Sequence, residues 1–405
     1  MPRSVLFLWP YVEWGGVQIY FTATMKQLKG KADVRAVMPE GSDPKIVGYL
    51  EGLGVPCEFF PGRRDFSTAT TVWHKVRRRI RDARCAVAIA RHLKRYDPAS
   101  AILQVDLSPW PFVWFCLLMF LSMRWNVFLT LHSAIPRYPP ARRIVRKALF
   151  HLLCRMRGFH LLASNRDMQE SLKPYLPPQV WSSVPVAYTG VDAEEICRAA
   201  ARGAERSGIR GRYGLPEDRL LAVSLGRLVE LKGCLVLLDA VKRIRAMGIP
   251  LHFVWIGQGP LKDRLDEALR QPGLEGAMRI LTPAQVGPER MDLLALLGAA
   301  DIFVHPSFSE GLPGAVLEAM ALGKACVATR INALPEAITD RETGLLVPPG
   351  DGKALADAIV ELVLDAPLRE RLGAAGRRAV LARFDESIGA RTTIALYETC
   401  RQGAV

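Results

Sequence analysis

Two glutamates eight positions apart, Glu310 and Glu318, sit in the stretch Ser307-Phe-Ser-Glu-Gly-Leu-Pro-Gly-Ala-Val-Leu-Glu-Ala-Met-Ala-Leu-Gly323. The run before them, Asp301-Ile-Phe-Val-His305, has the pattern of a strand, and Gly311, Leu312, Pro313 and Gly314 form a loop that opens a helix. Such a junction attracts anions, because the first N–H groups of a helix lack partners and carry the positive end of its dipole. Carboxylates placed beside that site suit the hydroxyls of a polyol. A plainer reading is also open, in which Glu318 favours the helix N-terminus, Gly323 caps its end and Glu310 is a solvated loop residue.

A second group of charges lies upstream, in Gly226-Arg227-Leu-Val-Glu-Leu-Lys232-Gly233, directly after the strand-like Leu220–Leu225. An arginine fork and a lysine point charge on one short glycine-bounded loop can converge on a pair of phosphates. Gly257-Gln-Gly259-Pro follows the next strand and carries only part of the dinucleotide fingerprint, so it suits a loop close to a nucleotide better than a nicotinamide site. Near the N-terminus, Gly15-Gly16 leads from the first strand into a helical pattern, where glycine allows a ligand to approach the backbone or simply makes a turn. His132 ends the strand Val127–Leu131, where parallel sheets bind ligands; a satisfied structural histidine is the other reading. The sequence has no Asp-x-Asp pair, no His/Cys cluster at metal spacing, no G-x-S-x-G elbow and no Walker loop. Metal-dependent phosphate chemistry and serine hydrolysis lose support, and no metal ligands are assigned.

These residues need a scaffold that places loops at strand ends. Short apolar runs alternate with helical patterns along the whole chain, which points to α/β structure with parallel sheets covered on both faces. A chain of 405 residues suits two domains, and the alanine-rich, mixed-charge stretch Ala193–Gly208 reads as the linker between them. Leu107–Met123 has no charge and many aromatics; it is shorter than the ~20 residues of a membrane span, so a buried helix is expected, with shallow insertion into a bilayer face as the alternative.

The net charge of +14 is concentrated. Arg63, Arg64, Lys75, Arg77, Arg78, Arg79, Arg81, Arg84, Arg91, Lys94 and Arg95 form one block, and Arg137, Arg142, Arg143, Arg146, Lys147, Arg155 and Arg157 another. Such blocks attract polyanions: an anionic membrane face, a phosphorylated substrate or nucleic acid. Nucleic acid ranks low, since no recognised motif or base-stacking aromatic pattern accompanies them. The eight cysteines are scattered with no C-x-x-C pair, and the first apolar run is too short for a signal peptide. A reduced, cytoplasmic protein is expected, and the basic blocks leave peripheral contact with the inner face of the cell membrane open.

Taken together, Gly226-Arg-Leu…Lys232-Gly, Gly257-x-Gly-Pro, His305-Pro-Ser…Glu310-Gly-Leu-Pro…Leu317-Glu-Ala-Met-Ala-Leu-Gly and Gly344-Leu-Leu-Val-Pro-Pro-Gly-Asp resemble the retaining, nucleotide-sugar-dependent transferases of glycosyltransferase family 4, in the GT-B superfamily. The first half resembles them more loosely, through Gly15-Gly16, Leu131-His132, Ser164 and Gly190-Val-Asp192. The resemblance implies two Rossmann-like domains facing each other across a cleft, here residues 1–195 for the acceptor and 196–385 for the donor, with 386–405 a helix crossing back. It implies a metal-independent hexosyltransferase with no cofactor beyond its nucleotide-diphosphate sugar, acting on a saccharide or lipid-linked acceptor in envelope polysaccharide, lipopolysaccharide or glycolipid synthesis. By matching position, Arg227 and Lys232 would hold the diphosphate, Glu310 the transferred sugar, Glu318 the ribose, His132 the sugar and Gly16 a phosphate or the acceptor. Two departures, Thr189 for the usual asparagine and Gln104-Val-Asp106 for a common histidine pair, bear on the acceptor side. A nucleotide-sugar epimerase of the same fold, or a non-catalytic sugar-nucleotide-binding or membrane scaffold protein, are the alternatives.

Overall fold

The computed structural model describes residues 2–10, 12, 16–62, 72–105, 112–132, 135, 138–203, 205–287 and 289–402. The chain divides into two units, Met1–Thr189 with Glu386–Val405, and Gly190–Asp385.

In the first unit six strands form one parallel sheet: β1 (Ser4–Leu8), β2 (Asp33–Pro39), β3 (Cys57–Phe60), β4 (Ala101–Val105), β5 (Asn126–Leu131) and β6 (Phe159–Ala163), in the order β3-β2-β1-β4-β5-β6. β1 and β4 are apolar at almost every position because helices cover both faces of the sheet. The helix Phe112–Ser122 is one of the covers, with Cys116, Leu117, Phe120 and Leu121 in the core, so this part of the charge-free segment is a core helix. Its expected first residues, Leu107 to Pro111, lie outside the described residues. Among the described residues no helix is long and apolar enough to cross a membrane.

The arginine-rich helix Val72–Leu93 buries Cys85, Ala86, Ile89 and Leu93. At 100° per residue, Trp73, Val76, Ile80 and Val87 fall on the face opposite that one, and all four are exposed, Trp73 by 76%. Of the basic block, Arg63 and Arg64 lie outside the described residues. The last helix, Glu386–Gln402, belongs to this unit and packs against the helix Gly16–Leu28. Tyr397, fully buried, donates its hydroxyl to Gln104 Oε1 at 2.7 Å, while Gln104 Nε2 donates to the Phe128 carbonyl and the Thr130 hydroxyl. Gln104 is thereby a structural anchor in the middle of β4, with both ends of its amide occupied.

The second unit repeats the plan with β7 (Leu220–Leu225), β8 (Leu251–Ile256), β9 (Met278–Leu281), β10 (Ile302–His305), β11 (Ala325–Thr329) and β12 (Leu345–Val347), ordered β12-β11-β10-β7-β8-β9 and all parallel. The stretch read as a linker is largely helical, as Ala193–Gly203 and Arg206–Arg212. Its apolar residues explain the difference: Ile196 and Ala199 are buried where the first of these helices packs on the helix Arg290–Gly298. Arg210 is buried as well, its guanidinium spent on the carbonyls of Ala299, Pro216 and Arg219 and on Asp301, 2.7 Å away.

Replacing Tyr397 by Phe keeps the ring but strands Gln104 Oε1 in the core, at a cost of about 1–3 kcal/mol. Urea denaturation followed by circular dichroism should show that loss as a lower midpoint with an unchanged slope; an unchanged midpoint would mean that the bond does not hold the helix.

Candidate functional site

In the second unit the strand order reverses between β10 and β7, and parallel sheets bind ligands in the crevice beyond the carboxyl ends of the strands at such a point. The loops leaving β7, β8 and β10 carry the charges picked out above. The first two are zipped together: Gly226 N donates to Ile256 O at 3.0 Å, Trp255 Nε1 donates to Gly226 O at 2.8 Å, and Leu228 N donates to Gln258 O at 2.9 Å. A Cβ on Gly257 would stand 1.9 Å from the Gly226 carbonyl, so only glycine permits this approach. Gly259 lies against the Leu228 backbone in the same way. Arg227 is exposed on the loop; its carbonyl accepts from Val229 N at 3.0 Å, while its side chain makes no hydrogen bond or ion pair among the described residues.

After Arg227 comes a single 3-10 turn, Glu230–Lys232, ended by Gly233 in the left-handed region at φ 70°. A Cβ there would meet the Pro306 carbonyl at 1.9 Å. That contact, and the bond from Phe308 N to Leu231 O at 2.9 Å, bring the turn against the loop that follows β10. Lys232 Nζ consequently lies 2.6 Å from Glu310 Oε1. The same oxygen accepts from Ser307 Oγ at 2.7 Å and pairs with His305 Nε2 at 3.0 Å. Ser307 is fully buried and its carbonyl is bound by the Thr329 hydroxyl, so the donors are held from behind. Burial pushes the Glu310 carboxyl up, but the His305 hydrogen bond and charge and the Lys232 charge outweigh it and hold it down at about 2. Oε2 of Glu310 accepts no hydrogen bond from the described residues.

Gly311, Leu312 and Pro313 lead from Glu310 into the helix Gly314–Ala321, with Gly314 at its first position and open space where a side chain would project. Glu318, one turn in, is nearly buried, and its Oε1 lies 2.6 Å from Arg290 Nη2. Arg290 Nε in turn lies 2.9 Å from Glu195 Oε2. The helix dipole therefore does not have Glu318 to itself: an arginine from another element neutralises it.

Two expected residues belong to the first unit. His132 follows β5, with its ring edge-on to Tyr20 and Phe21. Burial pushes its pKa down to about 3, and its enclosed Nε2 has no hydrogen-bond partner among the described residues. Gly16 opens the helix Gly16–Leu28, and Gly15 lies outside the described residues.

Sequence reasoning did not assign roles to His305, Ser307, Asn332, Arg290 or Glu195. The first two had a signal, since a histidine and a serine lie five and three residues before Glu310 and can fold back on it. Asn332, which accepts from Glu310 N at 3.2 Å, and Arg290 and Glu195 are distant in sequence and had none. Among the described residues no group of three or more His, Cys, Asp or Glu side chains forms a metal site.

Residues 205–379 match the family described as glycosyl transferases group 1. The chain is 32% identical over 176 residues to the lipopolysaccharide core biosynthesis glycosyltransferase LpsE of Rhizobium meliloti (strain 1021), covering 43% of this chain and 48% of that one. It is 37% identical over 190 residues to the phosphatidyl-myo-inositol mannosyltransferase of Mycobacterium leprae (strain TN), covering 46% and 48%. These matches thus span about half the length of the curated relatives. The whole chain superposes on a glycosyltransferase from Rickettsia africae ESF-5 with a TM-score of 0.77 at 18% identity, covering 100% of both. It also matches Anabaena Alr3699/HepE, solved in complex with UDP, with a TM-score of 0.75 at 17% identity, covering 98% of this chain and 100% of that one. The two parallel sheets are thus those of the GT-B fold.

The held carboxylate has a pH signature. Because the folded pKa of Glu310 lies below the ordinary 4.5, the unfolded chain binds more protons between 4.5 and about 2, and stability falls as pH drops through that window. Wild type and Glu310→Gln should therefore differ in unfolding free energy by an amount that shrinks by up to about 3 kcal/mol as pH falls from 5 toward 2. Guanidinium titrations at several pH values would read it, and a difference independent of pH would refute the arrangement.

Proposed function

We propose, from the match of residues 205–379 to the family described as glycosyl transferases group 1, that this chain moves a sugar from a nucleotide-diphosphate sugar to a hydroxyl of a saccharide or lipid-linked acceptor. The observation that carries this reading is the Lys232–Glu310 pair at the switch point, with the unpaired Arg227 on the same loop as Lys232. As the glycosidic C1–O bond breaks, the departing diphosphate gains negative charge. Arg227, Lys232 and the helix N-terminus at Gly314 would then stabilise the transition state more than the ground state. The acceptor oxygen forms the new bond to C1 on the face the diphosphate leaves, its proton passes to the departing phosphate oxygen, and configuration is retained. Glu310 Oε2 binds hydroxyls of the transferred sugar and Glu318 those of the ribose. Gly226, Gly257, Gly259, Gly311, Leu312 and Pro313 line the donor. By matching position alone, His132, kept uncharged at neutral pH by burial, is assigned to the sugar, and Gly16 to a phosphate or the acceptor.

A relative named for lipopolysaccharide core synthesis supports a bacterial envelope product, and the Anabaena protein, solved with UDP and with UDP-glucose, supports a nucleotide-sugar donor. The exposed stripe Trp73, Val76, Ile80 and Val87, beside Arg77, Arg84 and Arg91 on one helix, supports contact with an anionic bilayer at the cytoplasmic face, where a lipid-linked acceptor would lie.

A screen of nucleotide sugars against lipid-linked and free saccharides tests the reaction. Lys232→Ala and Glu310→Ala should each lower transfer by at least about 10²–10³-fold while the protein remains folded by circular dichroism; near-normal rates in either would sink the assignment. An inverted product by NMR would overturn retention. For the surface, Trp73→Ala with Ile80→Ser should abolish sedimentation with phosphatidylglycerol vesicles at low salt. Equal binding to neutral vesicles, or none by the wild type, would remove the membrane from the account.

A further inference from the structure

Resting on the donor reading just given, we propose that Arg290 is a positioning residue of the nucleotide site: it holds one oxygen of Glu318 so that the other is presented to the ribose hydroxyls. The helix Gly314–Ala321 carries a single charged residue, and Val316, Leu317, Ala319, Met320 and Ala321 around it are buried. A helix that only needed anchoring there would be served as well by an apolar side chain, since replacing a buried ion pair by well-packed hydrophobic residues is often neutral or stabilising. A nearly buried carboxylate is therefore unexplained by packing.

What surrounds it is built to orient it. Arg290 is the first residue of the helix Arg290–Gly298, and Glu195 lies in the first turn of the helix Ala193–Gly203. The guanidinium uses Nη2 on Glu318 Oε1 at 2.6 Å and Nε on Glu195 Oε2 at 2.9 Å. Two donors on one rigid plane, each committed to a carboxylate from a different helix, fix the guanidinium and, through it, the place of Glu318 Oε1. Oε1 is taken, and Oε2 accepts no hydrogen bond from the described residues. A carboxylate with one oxygen fixed and the other free is matched to the paired hydroxyls of a ribose, which donate hydrogen bonds. Glu195 keeps Arg290 from turning away, so the three side chains act as one unit.

Isothermal titration with UDP, GDP and ADP first identifies the diphosphate that binds tightest, and its 2′-deoxy form is then compared. The wild type should prefer the ribonucleotide by about tenfold or more, as a site built to bind a hydroxyl does. Glu318→Ala should abolish that preference. Arg290→Met should weaken the ribonucleotide by a similar factor and erase the preference, while changing affinity for the deoxy form by less than about threefold. In Arg290→Lys, a single point charge that cannot grip both carboxylates, the preference should fall in between; this variant also serves if Arg290→Met is poorly folded. In turnover, the Arg290 variants should raise the donor KM with little change in kcat. Full ribose preference in either folded Arg290 variant, with Glu318→Ala lacking it, would overturn the positioning role and leave the donor reading standing. No diphosphate binding by the wild type would instead bring down the donor reading, and this inference with it.

Discussion

An ammonium and a carboxylate 2.6 Å apart, with only 21% and 10% of their side-chain surfaces exposed, tie the first loop of the second unit's sheet to its fourth. Taking both charges from water costs several kcal/mol per ion, which the attraction between them offsets only when the geometry is good and further hydrogen bonds complete the pair. Glu310 meets that condition through His305 and Ser307. Lys232 does not meet it fully, since its ammonium has three donors and Glu310 takes one. The loop system thus saturates Glu310 Oε1 and leaves Lys232 with donors to spare, which a second anion would take up. Arg227, exposed and unpaired on the same loop, adds to that deficit of negative charge.

The pair forms because backbones come closer than any side chain would allow. Gly233 against Pro306 and Gly257 against Gly226 remove the volume that would otherwise hold the three loops apart. The glycines of the motifs are therefore the reason that Lys232 and Glu310 touch, and their contribution is made before any ligand arrives. Glu318 is treated in the same manner as Glu310: one oxygen is occupied by a cation from a distant element and the other takes no hydrogen bond from the described residues. Two acidic groups in one strand-loop-helix thus each keep one oxygen open to accept a hydrogen bond.

Much of this was readable from residue order, and the limits have physical causes. The strand runs were visible because buried parallel strands are apolar at nearly every position, and β8 is buried throughout. Helix ends fall where glycines stand: Cys234–Ala246 begins directly after Gly233, which bounds the loop of Arg227 and Lys232. Ala193–Gly208 misled because alanine and mixed charge signal solvent by composition, whereas Ile196 and Ala199 are buried against the helix Arg290–Gly298, a partner that only the folded chain supplies. The motif spacing pointed to Lys232 and Glu310, but a motif lists residues along one line, and Arg290 and Glu195 reach Glu318 from elements with no spacing rule connecting them.

The helix Val72–Leu93 shows the same limit from the other side. Its composition reads as a solvated basic face, and for Arg79 and Arg81 that holds, since both are exposed. Yet the helix has two apolar stripes, one filled by Cys85, Ala86, Ile89 and Leu93 in the core and one exposed at Trp73, Val76, Ile80 and Val87. Leaving those side chains in water forfeits about 25 cal/mol for each Å² of apolar surface that burial would recover. A helix with one apolar face needs only its own core. The second face, exposed and bordered by Arg77, Arg84 and Arg91, is an apolar and cationic surface that the core does not use.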